Sequence, residues 1–497
     1  MADRNKVTLR VMMNKERNKV IYAEAGKDFV DALFSFLTLP LGTIARLVAE
    51  ESNIEAVRFG SISSIYQSVI NLDEQCIWSH TCKEMLLKPR NSMEAYCQKM
   101  KLNIDNTEPM QHFVCGKWEC VRKESGSRLS LFKNEKCSCG NVMDKVLSPP
   151  PECSIFESGF VKETASFIIS DDLYVMPNVF GTVIRLLQKQ EITDIDDFVE
   201  QTVDISKKEV VDILKLSLVS KTPLTDFVFK KKYSELVIGL KDPMCKIGNA
   251  TSAFLRMQVS VKVVRRKSTG DFLFAEASDD FINFICSVLT FPLGGVLHML
   301  QGFSSLNCID NLYKSMTELS PENYLISQDL KNKLTKPSIA AQFRLDNQIL
   351  PIGAVSLPVY YCHTYILQNQ YTRALTTTTT IATRKLGVRY SDEKCVPLYF
   401  VDPKFSASNS SNRGEFVKGP STYMVTDDLV VTPMSSFNAI SYLNSSNVSL
   451  SDLEEKVVSI GQKEGLCILK AWLNSTSSSA ALTKGLDQFL TIGKEEK

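Results

Sequence analysis

The chain opens on two short runs in which apolar and polar residues alternate. VTLRVMM (Val7 to Met13) and VIYAEA (Val20 to Ala25) flank the polar stretch Asn14 to Lys19. A two-residue period around a charged connection predicts a β-hairpin. The period then changes: Phe29, Leu33, Phe36 and Leu37 fall at helical spacing, so a helix is expected from near Lys27, with Leu33 and Phe36 in the core. Pro40 must break or restart it, because proline lacks the amide hydrogen and clashes with the preceding turn. Gly42 adds a permissive backbone point, and Ile44, Leu47 and Val48 mark a second helix. FIISDDLYVMP (Phe167 to Pro177) reads as a further hairpin turning at Ser170, Asp171 and Asp172.

The pattern is written twice. VTLRVMMNK (Val7 to Lys15) recurs as VSVKVVRRK (Val259 to Lys267), YAEAGKDF (Tyr22 to Phe29) as FAEASDDF (Phe274 to Phe281), and LTLPLG (Leu37 to Gly42) as LTFPLG (Leu289 to Gly294), all at one offset. FVKETASFIISDDLYVMP (Phe160 to Pro177) recurs as FVKGPSTYMVTDDLVVTP (Phe416 to Pro433), and EVVDILKLSL (Glu209 to Leu218) as EGLCILKAWL (Glu464 to Leu473). Chance does not preserve spacing in this way. Two homologous tandem halves are expected, 1–240 and 255–497, joined by KDPMCKIGNATSAF (Lys241 to Phe254). Two helices are expected to close each half, the second copy's DLEEKVVSIGQKEGLCILKAWL being interrupted at Gly461. Hairpins and segregated helices without βαβ alternation make the fold class α+β. Ile285 and Val288 are the expected core counterparts of Leu33 and Phe36. The threonine run within Arg373 to Gly387 reads as a loop or edge strand, and SASNSSNRG (Ser406 to Gly414) as a surface loop.

Composition narrows the class. An apolar fraction of 44% and a charged fraction of 23% over 497 residues are those of a globular protein of two or three domains. A net charge of +1 gives no global field toward nucleic acid or an anionic membrane. The basic runs Lys230 to Lys232 and Arg265 to Lys267 read as solvated turns or strand ends. The N-terminus is charged within its first five residues and shows no secretory signal. The most apolar long stretch, Phe29 to Val48, carries Asp31, Pro40 and Arg46, so no membrane span is expected. The expectation is a soluble intracellular protein, cytoplasmic or nuclear and not secreted, whose 14 cysteines are mostly buried thiols or metal ligands.

VCGKWECVRKESGSRLSLFKNEKCSCG (Val114 to Gly140) places four of those cysteines in two close pairs, Cys115 with Cys120 and Cys137 with Cys139. Zinc takes four such ligands tetrahedrally, usually delivered as two pairs. The spacer suits a hairpin, and Gly140 permits a tight turn behind the last ligand. A zinc-ribbon-like lobe at about 110–145, inserted in the first half, is therefore expected, with the ion structural because four protein ligands leave no open position. The C-x-C pair is tighter than the common C-x-x-C, so His112 stands as reserve ligand. Unliganded buried thiols and redox pairing are the alternatives, although the βαβ setting of a redox pair is missing. Cys76, His80 and Cys82 form a weaker second cluster, and Cys362, His363 and Cys395 are unpaired candidates in the second half.

The opening block from Val7 to Val48, together with SFIISDDLYVMP and its repeat YMVTDDLVVTP, resembles the plant domain-of-unknown-function family numbered six-seventy-four over nearly the whole chain. The resemblance implies a plant source and a cysteine-rich lobe between the shared blocks, at the position of Cys115, Cys120, Cys137 and Cys139. It supplies no reaction, substrate or cofactor. The residues themselves carry no dinucleotide fingerprint, P-loop, H-E-x-x-H or G-x-S-x-G motif. Of the four histidines, His80 and His112 lie beside cysteines, His298 in an apolar helical run and His363 next to Cys362. Glu24 and Glu276 follow strands and act as an acid or base only if buried. Asp28 and Asp280 suit helix N-termini, and Asp172 and Asp428 suit turns. The leading reading is a non-enzymatic binding or scaffolding protein with a protein partner. An enzyme with a pocket between the repeats is one alternative. The other is nucleic-acid binding through Lys117, Trp118, Arg122, Lys123, Arg128 and Lys133.

Overall fold

The N-terminal alternation folds as its period requires. In the computed structural model Val7–Asn14 pairs antiparallel with Lys19–Gly26, which buries Leu9, Val11, Val20 and Ala23 and leaves Arg10 facing Glu24 on the outer side. The structure describes residues 6–117, 120, 128–147, 158–192, 198–231, 257–357, 359–367, 370–376, 389–390, 396–405, 414–419, 421–474 and 482–486. The expected joint at 241–254, much of the threonine run and residues 406–413 lie outside the described residues.

Two five-stranded antiparallel sheets carry the same strand order. The first runs Val175–Pro177, Ser166–Ser170, Lys19–Gly26, Val7–Asn14, Phe198–Ile205. The second runs Val431–Pro433, Thr422–Thr426, Phe272–Ser278, Val259–Arg266, Leu453–Ile460. Each central hairpin has its register irregularity at the matching place, between Met12 and Met13 and between Val264 and Arg265. The hairpin after each sheet's centre turns through a buried leucine at positive φ, Leu173 at 60° and Leu429 at 64°.

One expectation is corrected. The segment before Gly461 is a strand, Leu453–Ile460, and only Gln462–Asn474 after it is helical. Its sequence alternates, with Val458 and Ile460 inward and Val457, at 68% exposure, outward. Lys262 and Arg265 on the neighbouring strand pair with Glu455 and Glu454. The matching strand in the first half, Phe198–Ile205, leads into helix Lys207–Val219 through a Ser206–Glu209 capping box.

Each central hairpin feeds a helix, Lys27–Ser35 or Asp279–Ser287, then a short 3-10 turn, then a proline that restarts the chain into Leu41–Ala49 or Leu293–Met299. Leu33, Phe36, Ile285 and Val288 are fully buried. The repeated proline–leucine–glycine motif forms the contact between the halves. Leu41 N donates to Phe291 O at 2.9 Å and Leu293 N to Leu39 O at 2.9 Å. Glycine follows each leucine because the chains nearly touch: a methyl group on Gly294 would sit 2.9 Å from Leu37 O.

The halves also exchange elements. Helix Ile62–Asn71 of the first half packs on the second sheet, where Ser68 Oγ accepts from Val431 N at 2.9 Å. Helix Asn307–Glu318 of the second half packs on the first sheet, where Ser315 Oγ accepts from Val175 N at 2.8 Å. The segments behind these helices cross reciprocally: Ile326 N donates to Phe160 O at 3.0 Å, and Trp78 N to Phe416 O at 3.0 Å. A single hydrophobic core therefore runs through both halves, with Phe29, Phe36, Phe281, Phe284 and Trp472 all in it.

Candidate metal centre

The cysteine lobe is a small sheet ordered His112–Cys115, Val142–Leu147, Glu135–Lys136. Cys115 ends the first strand beside a register irregularity opposite Met143. Glu135–Lys136 and Val142–Leu147 form the hairpin whose loop carries Cys137 and Cys139. That loop is closed by Gly140 N donating to Cys137 O at 2.9 Å and Cys137 N to Asn141 O at 2.8 Å. Gly140 holds φ of 85°, the left-handed region that glycine enters without a Cβ penalty. Cys120 is placed by its own amide donating to Lys117 O at 3.2 Å.

The four Sγ atoms all lie within 4.8 Å of one another, and Cys115 Sγ is 3.6 Å from Cys139 Sγ. Zinc–sulfur bonds of about 2.3 Å set tetrahedral edges of about 3.8 Å, so closing the set needs shifts of at most about an ångström. Cys115, Cys120 and Cys137 are buried and Cys139 faces solvent. The thiols divide one charge unequally. Cys139 is brought down to about 6, first by the backbone amide of Asn141 and then by the Cys120 thiol. Cys120 is pushed up to about 12, first by its hydrogen bond with Cys139. Burial, the largest cause, raises Cys115 against the pull of the Lys117 amide. Two thiolate positions thus receive a backbone N–H from the residue two places on, which orients and stabilises a metal-bound sulfur. Each of these cysteines is followed by glycine, Gly116 and Gly140; only the second of these was singled out from sequence, and the paired Cys-Gly signal was there to be read.

His112 does not join the cluster. Its ring is buried and stacks edge-on against Tyr360 at 4.9 Å, and neither nitrogen has a hydrogen-bond partner among the described residues. Burial brings its pKa down to about 4. The Cys76, His80 and Cys82 set does not converge: His80 pairs with Glu74 at 3.1 Å on the surface, while Cys82 Sγ is buried and donates to Pro403 O at 3.5 Å. Cys395 and the side chains of Cys362 and His363 lie outside the described residues, as do Trp118, Arg122 and Lys123. Lys117, Arg128 and Lys133 are exposed on the lobe. Glu24 and Glu276 are ion-paired with Arg10 at 3.2 Å and Lys262 at 3.0 Å on the outer faces of the twin hairpins. Asp28 and Asp280 sit in the first turns of their helices. Asp172 and Asp428 accept from the hydroxyls of Ser170 and Thr426 inside their turns.

The lobe is anchored to the second half. Arg128–Leu129 pairs in parallel with Val396–Phe400, and Val401 packs among Phe113, Met143 and the cysteines. Among the described residues no helix is long and apolar enough to cross a membrane.

Comparison with curated proteins and with solved structures returned no match. A family model does match, over residues 3–463, and its description is "Protein of unknown function (DUF674)". A match over nearly the whole chain, on the same repeated blocks that build both sheets and their junction, places this chain in the DUF674 family.

Proposed function

We propose that the chain is a non-enzymatic binding or scaffolding body made of two homologous halves, 1–240 and 255–497, with the lobe held by one structural zinc ion on Cys115, Cys120, Cys137 and Cys139. The observation that carries the metal reading is the convergence of four sulfurs from two separated pairs to within 4.8 Å. Four thiols cannot all ionise side by side without a cation, and a divalent ion supplies the compensating charge. With four protein ligands the ion has no position for water, so its work is to fix the lobe. The lobe, so fixed, presses its strands on Val396–Phe400 and ties the two halves a second time. The duplication is supported by the shared strand order and by the reciprocal exchange of helices. Free thiols at the ten cysteines whose side chains are described support a reducing compartment, cytoplasm or nucleus. A protein partner remains the preferred one for the body as a whole.

Elemental analysis of purified protein tests the metal. One zinc per chain is expected, falling by at least half in Cys137→Ser, with the lobe opened to proteases and the second half still protected. A content below roughly 0.2 zinc per chain would overturn the reading, since structural zinc is bound tightly.

A further inference from the structure

A cleft of about 660 Å³ opens where the second half's helix Asn307–Glu318 meets the first sheet. Its other walls are the turn at Ser170 to Tyr174, helix Phe180–Lys189 and the loop at Lys221 and Thr222. Lys19, Arg185, Lys189, Lys221 and Lys314 line it, against the carboxylates of Asp171 and Asp172. Both carboxylates are already used. Asp171 accepts from Thr225 N at 2.8 Å and from Thr225 Oγ1 at 2.7 Å, and Asp172 from the Ser170 hydroxyl. Lys314 lies over the Tyr174 ring and 3.8 Å from Glu318, and Arg185 Nε donates to Gly181 O at 3.1 Å. No described residue forms an ion pair or hydrogen bond with the ammonium of Lys19, Lys189 or Lys221.

The fold does not need this charge. Helix Ile62–Asn71 stands on the second sheet as Asn307–Glu318 stands on the first, and a cleft of about 750 Å³ opens there too. Of its two cations, Arg58 is ion-paired with Asp428 at 3.5 Å and Arg46 donates from one amine to the neutral Asn106 Oδ1, and Glu50 adds a second carboxylate. At the offsets that align the two halves, Lys19, Arg185, Lys189 and Lys314 correspond to Asp271, Ser441, Ser445 and Gln67, of which only Gln67 lines this second cleft. Like charges gathered in one concavity repel, and low-dielectric walls focus their field. Lys19 is close enough to Asp171 to favour its charged form, so the cleft's surplus of positive charge rests chiefly on Lys189 and Lys221, with Arg185 beside them, and such a surplus in a concavity suits an anion.

We propose that this cleft binds a small molecule bearing two or more phosphate groups. The volume is that of a small-molecule site rather than a macromolecular groove. Cations arriving from both halves suit an anion with more than one charged group, and the Arg185 guanidinium suits phosphate oxygens in particular. The inference names a ligand for the binding reading and is independent of the zinc centre.

Calorimetry on the full chain with inorganic pyrophosphate and with orthophosphate, at about 0.15 M salt to screen diffuse attraction, tests the proposal. Pyrophosphate should bind at least tenfold more tightly than orthophosphate. The triple variant Lys19→Gln, Lys189→Gln, Lys221→Gln should weaken it at least tenfold, while Arg46→Gln in the other cleft leaves it unchanged. Zinc content and urea midpoint, measured on the same preparations, should not move, so failure of the ligand and failure of the staple are separately visible. Equal binding by wild type and triple variant, or no pyrophosphate binding at millimolar concentration, would overturn the proposal. Tighter binding of a single-stranded oligonucleotide than of pyrophosphate, lost in the triple variant, would overturn it in favour of nucleic acid.

Discussion

Asp31 sits on the otherwise apolar first helix with 2% of its surface exposed, and its carboxylate holds three donors. Oδ1 accepts from Phe160 N at 2.7 Å and Val161 N at 2.9 Å, and Oδ2 accepts from Lys27 Nζ at 2.8 Å. Lys27 also donates to Ser158 O at 2.8 Å and Val161 O at 2.7 Å. The strand held in this way is the one that pairs with Tyr324 to Ile326 of the other half. In the second half Asn283 Oδ1 takes Phe416 N and Val417 N, both at 2.9 Å, and Asp279 stands where Lys27 would be. Asp31→Ala leaves two buried amides unmet, at about 1–3 kcal/mol each, and a half-buried ammonium short of its counter-ion. A loss of about 4–6 kcal/mol is expected. Asp31→Asn keeps the oxygen that serves both amides, so about 2–3 kcal/mol is expected, mostly from the stranded ammonium. Burial pushes the Asp31 carboxyl up from its ordinary range, with Lys27 pulling the other way, so the charged pair is itself costly to bury. The double variant Lys27→Met, Asp31→Asn, which comes closer to the second half's arrangement, should recover to within about 1 kcal/mol of wild type. Urea denaturation followed by fluorescence of the buried Trp472 reads all four proteins. The reasoning fails if Asp31→Asn costs as much as Asp31→Ala, or if adding Lys27→Met to Asp31→Asn recovers nothing.

Gly294→Ala should lower stability by about 1–3 kcal/mol, because its Cβ would meet Leu37 O at 2.9 Å and Leu334 O at 3.0 Å; a stabilisation of about 1 kcal/mol, the helix-propensity gain, would show that the junction yields freely. Burial raises the Asp310 carboxyl to about 6. A carboxyl raised by folding contributes stability that is complete below its unfolded value and lost as pH rises through the folded one. Asp310→Asn should therefore gain on wild type by about 2–3 kcal/mol from about pH 4 to about pH 7, and a flat difference would refute the assignment. His112→Phe should leave zinc content unchanged, since the ring packs on Tyr360 away from the sulfurs. It should also remove a source of acid instability: a histidine lowered to about 4 supports the fold above its unfolded value near 6.5 and loses that support as pH falls. Zinc loss in this variant would return His112 to the ligand set.

What the sequence made legible was local. The hairpin at Val7 to Ala25, the restart at Pro40 and the core positions Leu33 and Phe36 each depend on neighbours within a turn or a strand pair. The four cysteines were legible for the same reason, since a hairpin brings Cys137 and Cys139 back toward Cys115. The edge strands Phe198–Ile205 and Leu453–Ile460 were not, because a sheet edge leaves only one face and a few residues buried, and acidic residues interrupt the alternation. Asp31 and Asn283 gave no sign of their role beyond being polar on an apolar helix face; their partners lie far along the chain at Phe160 and Phe416. The cationic cleft was hidden most completely, since its five cations come from three stretches of the first half and a helix of the second.

The two sequence halves divide shared from unshared residues along physical lines. What both keep makes the body: the proline–leucine–glycine junction, the serines Ser68 and Ser315 that take the opposite sheet's amide, and the acceptor oxygen of Asp31 or Asn283. The junction and the two serines hold one half to the other directly, while Asp31 and Asn283 each fix the segment of their own half that pairs across. What only one half carries is added around the proline–leucine–glycine junction. The cysteine lobe grows from the first half and leans on Val396–Phe400 of the second; five cations crowd one cleft, while the cleft beside helix Ile62–Asn71 holds two, one of them ion-paired. The proposed zinc staple and the proposed anion cleft both fall where residues of the two halves meet, so in both places the second half completes what the first half begins.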